Sequence, residues 1–443
     1  MVNYLEENNL LHPSHHGFRA KHSTCTALIQ MFDSWIEAFE NGEVSAVLML
    51  DMSAAFDVVD HHILLSKLEL YGFEDCTLSW INSYLSNRSQ SVHIEGHLSD
   101  ALPVECGVPQ GSILGPLLYI LYTNDLPESV HEHHHHTEQL RTEEQGPNYN
   151  IQCITCGSIC LYADDSTFTL SNKNVEELNI DLDRKYKEIA QYMDMNKLVL
   201  NSNKTHLMIM TSSRKHAIHR DFGLSLNTGS EIIVPQSEET LLGVSLSNCL
   251  SWHKHIRDSN QSLISKLTSR VNALSKISLY TSFLTRKMVA NGIIMSYLTY
   301  LIPLYGGCPD YLLMALQSLQ NRAARIVTKS SWFTPSSTML SQIGWLNVKQ
   351  MITYHSLVLI FKAKHDKRPS YLYNHISSDF RMNTRLAATN GINNQRRINT
   401  NLGKQSFLPR TVDQWNKLPP DIRSLNNLLK FKSALHAWVK QKY

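Results

Sequence analysis

The chain has 443 residues, enough for two or three packed units. Its 42% hydrophobic and 18% charged residues exclude a disordered polymer, and its eight cysteines are too sparse for a disulfide framework, so a reducing compartment, nucleus or cytoplasm, is the default. The net charge of +2 hides an asymmetry: residues 1–250 hold 14 Lys and Arg against 33 Asp and Glu, and residues 251–443 hold 27 against 6, so the back half suits a polyanion such as nucleic acid, unless it is only a solvated surface balancing the front.

In chain order, Met1–Leu11 carries Glu6 and Glu7 and no basic n-region, so it does not read as a secretory signal. Thr24–Asn41 places Ala27, Leu28, Met31, Trp35 and Ala38 at helical spacing and stops at Asn41-Gly42. Val44–Leu50 is a buried-strand pattern that runs straight into Asp51. His61–Leu70 and Thr77–Leu85 read as helices, and Ser89–Glu95 with Leu98–Glu105 as a hairpin around Gly96. Ser112–Tyr122 is an apolar helix. Ile159–Thr169 is a strand pair turning at Asp164-Asp165, Val175–Asn196 an amphipathic helix, and His206–Met210 a strand. Beyond Trp252 the texture is helical, with candidates at Ile256–Ile277, Arg286–Tyr300 and Tyr311–Thr328. Residues 375–410 are polar and Asn-rich, which predicts a loosely ordered stretch. Neither Ile113–Leu121 nor Ile293–Leu304 supplies the roughly 20 apolar residues of a membrane span, and no internal repeat is visible.

Two segments carry the chemistry. Val47-Leu48-Met49-Leu50-Asp51 and Leu161-Tyr162-Ala163-Asp164-Asp165 each drive an apolar strand into a carboxylate. A carboxylate at the end of a buried strand is costly unless paired, hydrogen-bonded or bound to a cation. Acidic groups from neighbouring strands repel one another, and a hard divalent cation relieves that. Two such ions about 3.5–4 Å apart are a common device for in-line phosphoryl transfer. Taken singly, each segment also fits a plainer reading: Asp164-Asp165 as an ordinary hairpin turn, Asp51 as a helix cap.

The joint pattern is more specific. Leu50-Asp51-Met52-Ser53-Ala54-Ala55-Phe56-Asp57, then Gly107-Val108-Pro109-Gln110-Gly111-Ser112, then Tyr162-Ala163-Asp164-Asp165, in that order, closely resembles the reverse transcriptases of non-LTR (LINE-type) retrotransposons. His16-Gly17-Phe18-Arg19 with Ser23-Thr24 looks like that family's fingers motif. Asn196-Lys197-Leu198 through Asn201 and Lys204-Thr205 looks like the motif after the catalytic hairpin. Leu242-Gly243-Val244 with Trp252 and His255-Ile256 looks like the primer grip and the entry to the thumb, and Trp415-Asn416-Lys417-Leu418-Pro419 like the closing tail.

The resemblance implies an α+β, right-hand polymerase fold: an antiparallel palm sheet backed by helices, then a helical thumb and C-terminal region. It implies partial fingers in 1–42, palm with the nucleotide-site loop in 43–126, and a His/Cys-containing insertion in 127–158. Palm, catalytic hairpin and primer grip follow in 159–250, the thumb in 251–330 and a basic C-terminal region in 331–443. Asp51, Asp164 and Asp165 would be the catalytic acids, with Asp51, Asp164 and the Met52 carbonyl holding two Mg²⁺ ions. Phe56 matches the steric gate against a ribose 2′-hydroxyl, or is a core aromatic. Gln110 and Gly111 would lie beside the nucleotide, and Arg19 would clamp its triphosphate. Lys204 would stabilise or protonate the leaving diphosphate, or is a surface lysine. The partners implied are an RNA template, a DNA primer or target, and dNTPs, with no membrane; oligomeric state is not readable.

Two departures accompany the resemblance. Members usually carry more fingers sequence upstream and often an endonuclease, and no RNase H region is evident after the thumb-like part. The chain therefore reads as an N-terminally truncated, 3′ portion of an element's coding sequence. Second, the histidine run at His131 and His133–His136 precedes Cys153, Cys156 and Cys160. This set has the composition of a structural Zn²⁺ site, or it is a plain loop insertion. The leading function is RNA-directed DNA polymerase. The alternative is a catalytically silent remnant that binds RNA or DNA through its basic half.

Overall fold

In the computed structural model the described residues are 1–130, 157–201, 204–218, 222–229, 231–377, 390–392 and 398–442. The chain divides into two compact units. The first comprises 1–20, 43–209 and 217–236, the second 21–42, 210–216 and 237–443. Helix α1 (Val2–Glu7) thus belongs to the first unit and α2 (Thr24–Glu40) to the second. This grouping does not follow a linear division of the sequence, because residues 21–42 cluster with the C-terminal part. The class is α+β, with an antiparallel sheet.

The first unit is built on strand β1 (Val44–Asp51), whose run of Val, Ala, Leu and Met is buried on both faces up to its last residue. The paired strands β2 (Arg88–Gln90) and β5 (Leu102–Val104) enclose a smaller hairpin of β3 (His93–Ile94) and β4 (His97–Leu98). The predicted single hairpin around Gly96 is therefore two short ladders, with Pro103 limiting the outer one. Strands β6 (Ser158–Tyr162), β7 (Asp165–Asn172) and β8 (His206–Met210) complete a four-stranded sheet in the order β6-β7-β1-β8. Two further short strands, β9 (Leu226–Asn227) and β10 (Ile232–Ile233), pair with each other.

Helices fix the strands. α3 (His61–Leu70) begins at Asp60, whose Oδ1 accepts from the backbone N–H of His62 and Ile63. After α4 (Asp75–Leu85), α5 (Leu114–Tyr122) is apolar nearly all round and buried to match. α7 (Val175–Met195), which follows the short α6 (Leu126–Val130), buries Leu178, Leu182, Ile189 and Met193 on one face. Its Lys185 is buried too, donating to the carbonyl of Val130 at 2.7 Å and to Glu188 at 2.8 Å.

In the second unit, α2 starts in a reciprocal Ser23–Thr26 capping box. It buries Leu28, Ile29, Phe32 and Trp35. A hairpin of β11 (Glu238–Leu241) and β12 (Val244–Ser247) turns at Leu242-Gly243. Helices then dominate, chiefly Leu263–Ile277, Phe283–Ala290, Asp310–Thr328, Val348–Asp366 and Leu428–Lys442. The expected continuous helix Ile256–Ile277 is interrupted, because Ser262 caps a new helix at Leu263. The expected Arg286–Tyr300 helix starts earlier, at Phe283, and passes through a wider turn at Asn291–Met295. The loosely ordered stretch predicted for 375–410 is corrected at its end: Asn401–Gln405 and Phe407–Asn416 are helical. Trp415 is fully buried there against Phe431, and Asn416 exchanges hydrogen bonds with the backbone of Ile392. Among the described residues no helix is long and apolar enough to cross a membrane.

Candidate active site

The register of β1 on β7 sets Asp51 directly opposite Asp165. Cross-strand partners share a face, so these carboxylates stand side by side, in one row with Met49–Thr167 and Val47–Thr169. On the other edge of β7, Tyr162 pairs with Asp165, leaving Ala163-Asp164 as a two-residue turn. Ala163 takes the left-handed conformation, φ 59°, that such a turn requires of its first residue. Burial, followed by the charges of Asp164 and Asp51, pushes the Asp165 carboxyl above its ordinary pKa, with Lys204 opposing. The Tyr119 phenol is also pushed up, by burial and then by Asp164.

Lys204 reaches this cluster through a backbone device. Asn201 N–H donates to the Asp51 carbonyl at 3.0 Å and Ser53 N–H to the Val199 carbonyl at 2.9 Å, an antiparallel bridge centred on Met52 and Leu200. Neither bond uses the Met52 carbonyl, which in such a bridge points away from the Val199–Asn201 segment. Lys204 N–H closes a turn onto the Asn201 carbonyl, and its ammonium stands 3.1 Å from Asp51 Oδ2. The same motif is pinned upstream, where Lys197 meets Asp60 at 2.6 Å.

The hairpin is braced from outside by the segment before Arg19. Leu161 N–H donates to the Ser14 carbonyl and His16 N–H to the Leu161 carbonyl, a parallel extension of β6. Gly17 abuts the turn so closely that a Cβ there would lie 2.3 Å from the Ala163 nitrogen. Glycine at position 17 is thus required by contact.

Phe56 is half-buried, its ring 4.7 Å from that of Tyr119 and 6.1 Å, edge-on, from that of Phe18. Its carbonyl accepts from Val108 N–H at 2.7 Å, which ties the Gly107–Gly111 loop to the turn after β1. Gly107 (φ 88°) packs against Asp57, where a Cβ would fall 2.7 Å from the Asp57 carbonyl oxygen. Gln110 is exposed, and its amide donates to both Asp57 carboxylate oxygens, at 2.8 and 3.0 Å. Gly111 follows with φ 77°. Asp57, Tyr119 and Gly17 thus shape the site without having been assigned roles from sequence. Asp57 and Gly17 lie inside the quoted motifs, whereas Tyr119 gave no signal.

Arg19 is placed differently from a free phosphate clamp. Its fork donates to both Glu6 oxygens, at 3.1 and 3.3 Å, and to the His12 carbonyl at 3.0 Å, and burial lowers its pKa to about 10. Cys160 lies buried in β6, on the face that carries Asp51 and Asp165, and burial pushes its thiol up to about 12. Burial thus opposes the thiolate form that Zn²⁺ needs. Cys153, Cys156 and the histidines 131–136 lie outside the described residues.

The donor set at the strand end, hard carboxylate oxygens crowded into mutual repulsion, fits a divalent cation in kind. Among the described residues no three His, Cys, Asp or Glu side chains already close as a ligand set, and Lys204 is the cation on Asp51.

A family model described as reverse transcriptase (RNA-dependent DNA polymerase) matches residues 1–246, more than half of the chain. The chain is 25% identical over 362 residues to the probable RNA-directed DNA polymerase from transposon X-element of Drosophila melanogaster, covering 80% of this chain and 36% of that protein. It is 26% identical over 317 residues to the RNA-directed DNA polymerase from mobile element jockey of the same fly, covering 72% and 32%. It thus spans about a third of the length of these curated relatives. Among solved structures, apo telomerase from Candida tropicalis is similar at 14% identity and a TM-score of 0.40, over 84% of this chain and 59% of that one. With the three motifs converging on the end of β1, the chain belongs to the reverse transcriptase (RNA-dependent DNA polymerase) family, in its LINE-type, non-LTR branch.

Proposed function

We propose that this chain is the polymerase portion of a retrotransposon protein, with a right-hand arrangement, that extends a DNA primer on an RNA template with dNTPs. The observation that carries the reading is the Asp51–Asp165 pair beside the Ala163-Asp164 turn, with Lys204 on Asp51. Asp51, Asp164 and the Met52 carbonyl would hold two Mg²⁺ ions, which when bound would activate the primer hydroxyl and neutralise the leaving diphosphate. Asp165 keeps the local field negative. Lys204, held at 3.1 Å from Asp51 Oδ2, would be free to pair with the diphosphate where a cation took its place on Asp51. The Phe56 ring, propped by Tyr119, would exclude a 2′-hydroxyl, while Asp57 orients Gln110 towards the nucleotide. Arg19 would reach a triphosphate by exchanging the Glu6 carboxylate for phosphate oxygens, which present the same bidentate geometry.

Primer extension on poly(rA)/oligo(dT) tests the reading. Asp164→Asn should reduce extension to background while RNA binding stays within about twofold, since only metal chemistry is removed. Phe56→Val should raise ribonucleotide incorporation at least about tenfold relative to dNTP, a difference of about 1.4 kcal/mol between the two transition states. A wild-type chain that binds template-primer and extends nothing would leave a silent remnant.

A further inference from the structure

One end of the helical cluster in the second unit carries a surface that includes none of the residues assigned to polymerase chemistry above. Buried Arg286 donates to the Val327 carbonyl at 2.9 Å and to the Thr281 carbonyl. It thereby joins the turn after helix Leu263–Ile277 to the last turn of helix Asp310–Thr328. From that last turn Arg325 donates to the carbonyls of Ser331 and Trp332, and its guanidinium lies 4.8 Å from the Trp332 ring centroid. Three large rings at this end face water: Tyr280 is 89% exposed, Trp332 78% and Phe333 92%.

Aromatic rings held this far out of a core mark an interaction surface, and charge says of what kind. Residues 259–365 contain 11 Lys and Arg and a single acid, Asp310. Asp310 opens its helix, roughly 23 Å by helix rise from Arg325. Lys276 and Lys329 sit in the segments that bear the rings. We propose that this face binds an unpaired nucleic-acid strand, whose bases stack on Trp332, Phe333 and Tyr280 while Arg325, Lys329 and Lys276 neutralise its phosphates. The Arg325 contact holds the Trp332 ring in place before the strand arrives, so little ordering remains to be done on binding. A duplex offers phosphates but hides its base faces, so the rings discriminate against it.

The test is fluorescence anisotropy of the full chain with labelled 20-mers of oligo(U) and oligo(dT), a 20-base-pair RNA duplex, and phosphatidylserine vesicles by co-sedimentation. No dNTP or metal is added, so failure here is separable from failure of the polymerase reading. Trp332→Ala/Phe333→Ala should weaken single-strand binding by about 10- to 100-fold, as expected for one or two lost base stacks. Duplex binding should be unchanged, and Trp332→Tyr, which keeps a ring, should stay within about threefold of wild type. Preference for oligo(U) over oligo(dT) would assign the strand to RNA, and equal affinity to either source. Unchanged single-strand affinity, an equal loss on the duplex, or a loss seen only on vesicles would overturn the proposal. Circular dichroism reports folding. Tyr280→Ala, on a separate segment, decides by the same criteria if the double variant misfolds.

Discussion

A single carboxylate, Asp165, records how crowded the end of β1 is. Burial and two neighbouring acids raise its pKa above that of an ordinary aspartate, so its charged form is less favourable in the folded chain than in the unfolded one. The sign of the linkage is fixed. Asp165 costs stability at neutral pH, and the cost lapses as pH falls through the raised pKa, vanishing below the unfolded value of about 3.9. Asp165→Asn should therefore raise the melting temperature by about 2 °C at pH 7, with the gain shrinking towards pH 4. A divalent cation relieves the same repulsion, so Mg²⁺ should raise the melting temperature of the wild type and do so less in the variant. Differential scanning fluorimetry across pH and Mg²⁺ checks both. A lower melting temperature at pH 7 would mean that the carboxylate anchors the hairpin. The acids were legible in the sequence because a charge following four apolar residues is conspicuous. The Gln110–Asp57 and Arg19–Glu6 pairs were not, because polar side chains reveal no partners by type alone.

At the scale of elements, the Ala163-Asp164 turn depends on a neighbour from another part of the chain. Ser14–Gly17 lies along β6, and a Cβ on residue 17 would strike the Ala163 backbone, which cannot yield as a flexible side chain would. Gly17→Ala should displace this segment and the turn together. The expected cost is about 2 kcal/mol or more of stability, read by urea unfolding, with a larger fractional loss of extension than of template binding. Wild-type stability with full activity would show that the segment shifts freely. The strands β1 and β6 were readable as short apolar runs, and β7 as the partner across the Asp164-Asp165 turn. The interruption before Leu263 had its signal in the polar run Asp258–Ser262, which a periodicity count passes over. The placement of α2 had none: an amphipathic pattern says which face is buried and nothing about what covers it.

For the whole molecule, charge follows the compact units. The first unit holds 11 Lys and Arg against 28 Asp and Glu, the second 30 against 11. The basic unit should dominate nucleic-acid affinity. Its log K should fall linearly with log salt, by about 0.7 for each phosphate neutralised on a single strand. Replacing Lys276, Arg325 and Lys329 together by Gln in the full chain should flatten the slope by about 2. An unchanged slope would place the phosphate contacts elsewhere. The histidine- and cysteine-rich insertion adds five Glu and one Arg to the acidic side of this balance.

Glu40, the last residue of α2, carries a further consequence. Its carboxylate accepts the backbone N–H of Asn399 at 2.9 Å and of Thr400 at 3.0 Å, partners about 360 positions later in the chain. On a ribosome working at about 5–20 residues per second, α2 is made some 20–70 s before the segment that binds its last residue. The second unit cannot close around Glu40 until residues 399 and 400 are made, so α2 waits with part of its covering missing. Holdase chaperones have that interval in which to engage it, and a ribosome stalled before residue 399 releases a product in which Glu40 lacks both backbone partners.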